Sequence, residues 1–127
     1  MLLEGCFLMA FCCYLWHGDT ATAQGPKRDS LCGDLSMATP PVMTRDWLKK
    51  PQSMLQRKAS TPEKAVDWLE EVFDQHASKM ACSQATGISR DDRFGSALAD
   101  LRSGNDLSWG FPLLGSKYVA LAVIVVR

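Results

Sequence analysis

The sequence is poor in the signatures that announce an activity. It has no G-x-G-x-x-G, Walker, G-x-S-x-G or EF-hand pattern, so nothing in it suggests a phosphate cradle, a hydrolase nucleophile elbow or a calcium loop. No Asn-x-Ser/Thr sequon occurs. Net charge is missing as well: 14 basic side chains balance 14 acidic ones, which argues against a nucleic-acid protein living on a basic surface. Histidine is scarce, at two residues in 127, and a histidine-rich zinc site has little to draw on. No apolar run reaches the roughly 20 residues that a bilayer-spanning helix needs. An apolar fraction of 46% and a charged fraction of 22% exclude a wholly disordered or collagen-like chain. The length is that of one domain.

What is present begins with an apolar N-terminus. Residues 6–16 carry no charge, and the small-x-small triplet Ala21-Thr22-Ala23 follows soon after. That is the layout of a secretory signal peptide cut after Ala23, giving a signal over residues 1–23 and a secreted chain over 24–127. Residues 1–5 depart from the layout, because they hold Glu4 and no Lys or Arg. Two further readings therefore stand beside it: an uncleaved, membrane-associated N-terminus and a cytosolic apolar one. In the secreted chain only Cys32 and Cys82 remain of the five cysteines, and a disulfide between them is expected. Closing that loop of about 50 residues would contribute roughly 4 kcal/mol in the chain-entropy description.

Residues 24–40 read as a flexible arm, punctuated by Gly25-Pro26, Gly33-Asp34 and Pro40-Pro41. The dibasic pair Lys27-Arg28 is a candidate processing site, as is Arg57-Lys58; plain solvated charge is the competing reading. Residues 41–106 read as a helical domain. Two helix starts share a grammar at an offset of 21 residues, each with a hydroxyl residue before Pro and then Asp-Trp-Leu, at Trp47 and at Trp68. A hydroxyl can accept from an orphan N–H, and Pro has no N–H to orphan. Lys49-Lys50 follows one core and Glu70-Glu71 the other, so two antiparallel helices would attract. The first helix, over residues 42–50, is checked by Pro51.

The second helix is expected over residues 62–80. Ser60-Thr61-Pro62-Glu63 fits a capping box, and Ala65, Val66, Trp68, Leu69, Val72 and Phe73 share one face. A third helix is expected over 90–102, with Ser89 as cap and Gly104 as stop.

Residues 107–127 read as a loop carrying Trp109 and Phe111, followed by an apolar tail. The tail, residues 118–126, opens on Tyr118 and closes on Val126, and five of its nine residues are β-branched. It favours strand, yet no partner strand is evident upstream. A buried strand or helical turn, a membrane-contacting segment and the cut edge of a longer chain are the competing readings.

No residue is assigned a catalytic, cofactor-binding or metal-binding role. His76 falls on the apolar stripe of the second helix, as a core histidine or as a pH sensor. Paired with Cys82 it would make a nucleophile and base, but six helical residues put the two about 240° apart. Charge is unevenly spread: residues 27–58 carry seven bases and three acids, residues 63–106 five bases and nine acids. The halves either neutralise each other on folding or steer a charged partner.

The expected fold is therefore mainly α, a small helical hairpin or three-helix arrangement with a loose arm and an apolar tail. The expected function is non-catalytic binding of a protein partner by a secreted factor or accessory subunit, with no cofactor. Trp47, Trp109 and Phe111 are its candidate anchors. The alternatives are a membrane-associated interaction protein touching lipid through the tail, and a peptide precursor cut at the dibasic pairs.

Overall fold

The computed structural model describes residues 9–80 and 89–127. In chain order the elements are β1 (Ala10–Asp19), the short helices α1 (Thr20–Gln24) and α2 (Arg28–Gly33), 3-10 turns at Thr44–Lys49 and Gln52–Met54, and β2 (Leu55–Ala59). Then come α3 (Pro62–His76), a 3-10 turn at Ala77–Lys79, α4 (Arg90–Arg102), β3 (Leu107–Leu113) and β4 (Lys117–Val126). The strands form one antiparallel sheet in the order β2-β1-β4-β3. A mixed α/β fold thus replaces the mainly helical one expected from periodicity.

The reason lies in the two inner strands. β1 and β4 pair over ten residues, from Ala10 opposite Val126 to Asp19 opposite Lys117. Both faces of this sheet are covered, so both inner strands are apolar on both sides and show no period-2 alternation. The partner that the tail lacked in the sequence is the segment read as an export signal. Phe11, Cys13, Val119, Leu121, Val123 and Val125 face α3 and α4. Cys12, Tyr14, Ala120, Ala122 and Ile124 face a second layer built around Trp47 and Met54.

The two long helices, α3 and α4, form largely where periodicity puts them, whereas α1 and α2 form in residues read as the end of a leader and a flexible arm. Thr61, not Ser60, caps α3: its Oγ1 accepts from the Lys64 N–H at 3.2 Å. The helix stops at His76 rather than running to residue 80. Ser89 caps α4 by accepting from the Asp92 N–H at 3.0 Å, and Gly104 takes the left-handed conformation (φ +83°) just beyond its end. Arg102 pairs with Glu63, and Arg90 with Glu70 and Asp74, which ties α4 to α3.

The first helix is only a 3-10 turn ending before Pro51. It does not face α3, because the sheet lies between them: Trp47 packs on one face and Trp68 on the other. Residues 107–113, expected as loop, are the edge strand β3, joined to β4 by a tight turn with Gly115 at φ +77° and Ser116 at φ +60°.

One carboxylate finishes the sheet. Asp106 Oδ1 accepts from the Val125 N–H at 2.8 Å, and Arg45 Nη1 donates to Val125 O at 3.1 Å and to Asp106 Oδ2 at 3.0 Å. Side chains thereby continue a ladder that β3 leaves at the Leu107–Val123 pair.

Two outcomes follow from this architecture. A fragment over residues 24–127 lacks β1, and is expected to show no cooperative unfolding transition by circular dichroism where the full chain shows one. Asp106→Ala orphans the Val125 N–H, and is expected to cost about 1–3 kcal/mol in urea unfolding; an unchanged midpoint would refute the role given to this carboxylate.

Candidate functional site

The second layer does not fully seal its side of the sheet. It leaves a cleft of about 260 Å³ with β3 and β4 as its floor, at Ser108, Gly110, Tyr118 and Ala120. One wall is helical, from Ala23, Gln24, Arg28 and Cys32; the other is Pro40, Pro41 and Trp47. The Tyr118 ring lies across Gly110, where a Cβ would push the phenol aside. The Tyr118 hydroxyl in turn accepts from Gln24 Nε2 at 3.0 Å, which fixes the phenol against the floor.

The proline wall is held by a buried cation. Lys50 is 4% exposed, and its Nζ donates to Asp34 O at 2.8 Å, Met37 O at 3.1 Å and Thr39 Oγ1 at 3.0 Å. Thr39 Oγ1 passes its own hydrogen to Leu31 O at 2.8 Å. All three ammonium protons are therefore used, which offsets the cost of burying the charge. Burial still pushes the Lys50 pKa down, against the pull of Cys32 and Asp34. Just outside the wall, Met37, Val42 and Met43 are exposed.

The predicted site residues are scattered by this arrangement. Trp47 is buried and stacked on Tyr14, with ring centroids 5.4 Å apart; it reaches the cleft as part of the wall. Phe111 is buried in an aromatic group with Phe73 and Trp109, and Arg93 lies over all three rings. Trp109 is half-buried and lines the cleft as well as a smaller hollow beside α4. Ala23 is buried in α1, Lys27 precedes α2, and Arg28 opens α2 at the cleft. Residues 119–125 of the tail are buried within the sheet, and no helix among the described residues is long and apolar enough to cross a membrane.

The expected disulfide is not formed. Cys32 is a free, buried thiol, with Sγ 3.6 Å from Thr22 O. Cys82, and with it the proposed dyad to His76, lies outside the described residues. Cys12 and Cys13 are also free and buried, on β1. Burial pushes the Cys13 thiol up to about 12 and raises that of Cys32. A thiol so held stays protonated at neutral pH and is a poor nucleophile.

Sequence reasoning missed Gln24, Gly110 and Lys50 because they become a site only when the arm folds over the sheet. It also set aside His17 as part of a discarded leader, whereas the fold places it 5.8 Å, ring to ring, from His76.

Comparison with known proteins leaves this geometry to speak for itself. The chain matches no protein-family model, no curated protein and no solved structure.

Two measurements check the electrostatics. Three exposed carboxyls are held below their ordinary range: Asp19 by Lys117, Asp34 by the Ser36 hydroxyl and N–H, and Glu63 by Arg102. A lowered folded pKa gives stability that is complete above the unfolded value and lost as pH falls through the folded one. The melting midpoint is therefore expected to hold steady above about pH 5 and to fall below about pH 4. Second, Cys12, Cys13 and Cys32 are expected to react with iodoacetamide at pH 8 much more slowly in the folded chain than in guanidinium; equal rates by peptide mass mapping would contradict their burial.

Proposed function

We propose that this chain is a non-catalytic binding protein, and that its cleft takes a peptide segment of a protein partner carrying both acidic and apolar side chains. The cleft carries the reading. At about 260 Å³ it falls below the roughly 300–1,000 Å³ usual for small-molecule sites, but it holds one or two side chains. Its lining combines an aromatic and proline surface with the Arg28 guanidinium and the Gln24 amide. A flat Trp, Pro and Tyr surface suits an apolar side chain, and a half-exposed arginine suits a carboxylate.

Charge supports the same partner. The acids of α3 find cations mainly on α4, through Arg90 and Arg102. Only Arg45–Asp106 and Arg57–Glu71 join the basic stretch 27–58 to the acidic stretch 63–106 among the described residues. Among the described residues Arg28 is the one cation lining the cleft, and its internal ion pair is a long one to the exposed Asp29, which leaves the guanidinium able to attract an acidic group.

This reading belongs to the uncut chain, because Ala23 lines the cleft and β1 pairs with β4, one of the two strands of its floor. The secreted reading concerns a different product, one beginning at Gln24, and the intact mass of the cellular product separates the two.

The direct test is selection from a phage-displayed random peptide library on the full chain. Recovery of peptides with acidic and apolar residues, whose affinity drops at least about tenfold (about 1.4 kcal/mol) against Arg28→Glu, supports the assignment. Arg28 has only a 3.7 Å contact to Asp29 as an ion pair, so the variant is expected to keep its fold. Peptides that bind both chains equally, or none at all, would overturn it.

A further inference from the structure

The two histidines are separated by 59 positions in the chain, and the fold sets them side by side on the helix-covered side of the sheet, away from the cleft. His17 projects from the end of β1 and is exposed; His76 is the last residue of α3 and is half-buried. Their ring centroids are 5.8 Å apart and their planes differ by 32°. His76 is already oriented. Its Nδ1 lies 2.9 Å from the Val72 carbonyl oxygen, and a carbonyl only accepts, so Nδ1 carries the proton and Nε2 keeps its lone pair in the neutral ring. A backbone carbonyl fixing one ring nitrogen so that the other is a bare donor is the usual support of a metal-bound histidine.

From this arrangement we propose that His17 and His76 form a binding site for a late first-row divalent ion, with Zn²⁺ as the reference case. The separation is near that of a shared ion: an imidazole bound at about 2.1 Å puts its centroid about 3.2 Å from the metal, so two rings at the tetrahedral angle have centroids about 5.2 Å apart, and the exposed His17 ring has to close by only about 0.6 Å. Imidazole pairs suit zinc, copper and nickel rather than magnesium or calcium. The site lies at the C-terminal end of α3, where the helix dipole favours a cation. No third His, Cys, Asp or Glu joins the pair among the described residues. The remaining positions therefore belong to water, and the site is an open one of modest affinity. A bound ion would bridge β1 to α3 and stabilise the fold by mass action.

The experiment titrates the full reduced chain, freed of metal by chelation, with Zn²⁺ followed by calorimetry and with Co²⁺ followed by absorption. Expected are one ion per chain, a higher melting midpoint with Zn²⁺, and a Co²⁺ spectrum without a thiolate charge-transfer band. Affinity should fall at least about tenfold in both His17→Ala and His76→Ala. His17 is exposed, so its variant keeps the fold, which circular dichroism verifies. No uptake up to submillimolar Zn²⁺, uptake unchanged in His17→Ala, or a thiolate band with Co²⁺ would each overturn the proposal.

Discussion

The ten-residue pairing of β1 with β4 joins the two ends of the described chain, and both layers rest on it. Its side chains supply the floor of the helical layer on one face and of the Trp47 layer on the other. Its lower end is closed by an ion pair of 2.7 Å between Lys117 and Asp19, and by the Thr20 N–H donating to Ser116 O at 2.8 Å. Without β1, β4 would keep only β3, and residues such as Ile124 and Ala122 would lose cover that makes them fully buried. Burying a Val, Leu or Ile side chain is worth about 1.5–3 kcal/mol each, so several such residues outweigh any single polar contact described here. The pairing is also non-local to an unusual degree. Loop-closure entropy must be met before it forms, so β1 waits, apolar and unpaired, until β4 exists.

The opposed layers give the molecule two different surfaces. On one side α3 and α4 pack an apolar stripe inward and tie their exposed charges to each other. On the other, short helices, 3-10 turns and loops cover the sheet less completely, and Lys50 secures the loop that forms the cleft wall. A layer made of short segments cannot bury all its backbone polar groups through its own helices. Lys50 and Thr39, on one side, and Asp106 and Arg45, on the other, supply the missing partners. The cleft therefore arises where regular structure runs out.

The two long helices were legible because their information is local. Thr61, Pro62 and Ser89 announce starts within four residues, and the 3.6-residue stripe of α3 faces whatever core is available. The strands were not legible for the opposite reason. A central strand covered on both faces loses its alternation, so β1 reads like a leader, and β4 favours strand by its β-branched residues but shows no partner. The cysteine pairing was argued from the export reading, which leaves only two thiols, and it is not found in the uncut chain. Once residues 10–19 stay in the fold, Cys12 and Cys13 are core residues, and Cys32 is a buried thiol rather than half of a staple. His17 became visible as a partner of His76 only through the same strand.

By itself, the sequence determined the chemistry available and the short-range structure: two capped helices, a proline-stopped turn, the uneven charge, and two strongly apolar segments at either end. The β-branched tail already favoured strand; the tertiary structure alone decided that the first segment is a strand too, that the two pair with each other, and which residues meet across them. Hydrogen-bond pairing between strands a hundred residues apart leaves no local periodicity to read, so the choice of partner is made only when the whole chain closes on itself.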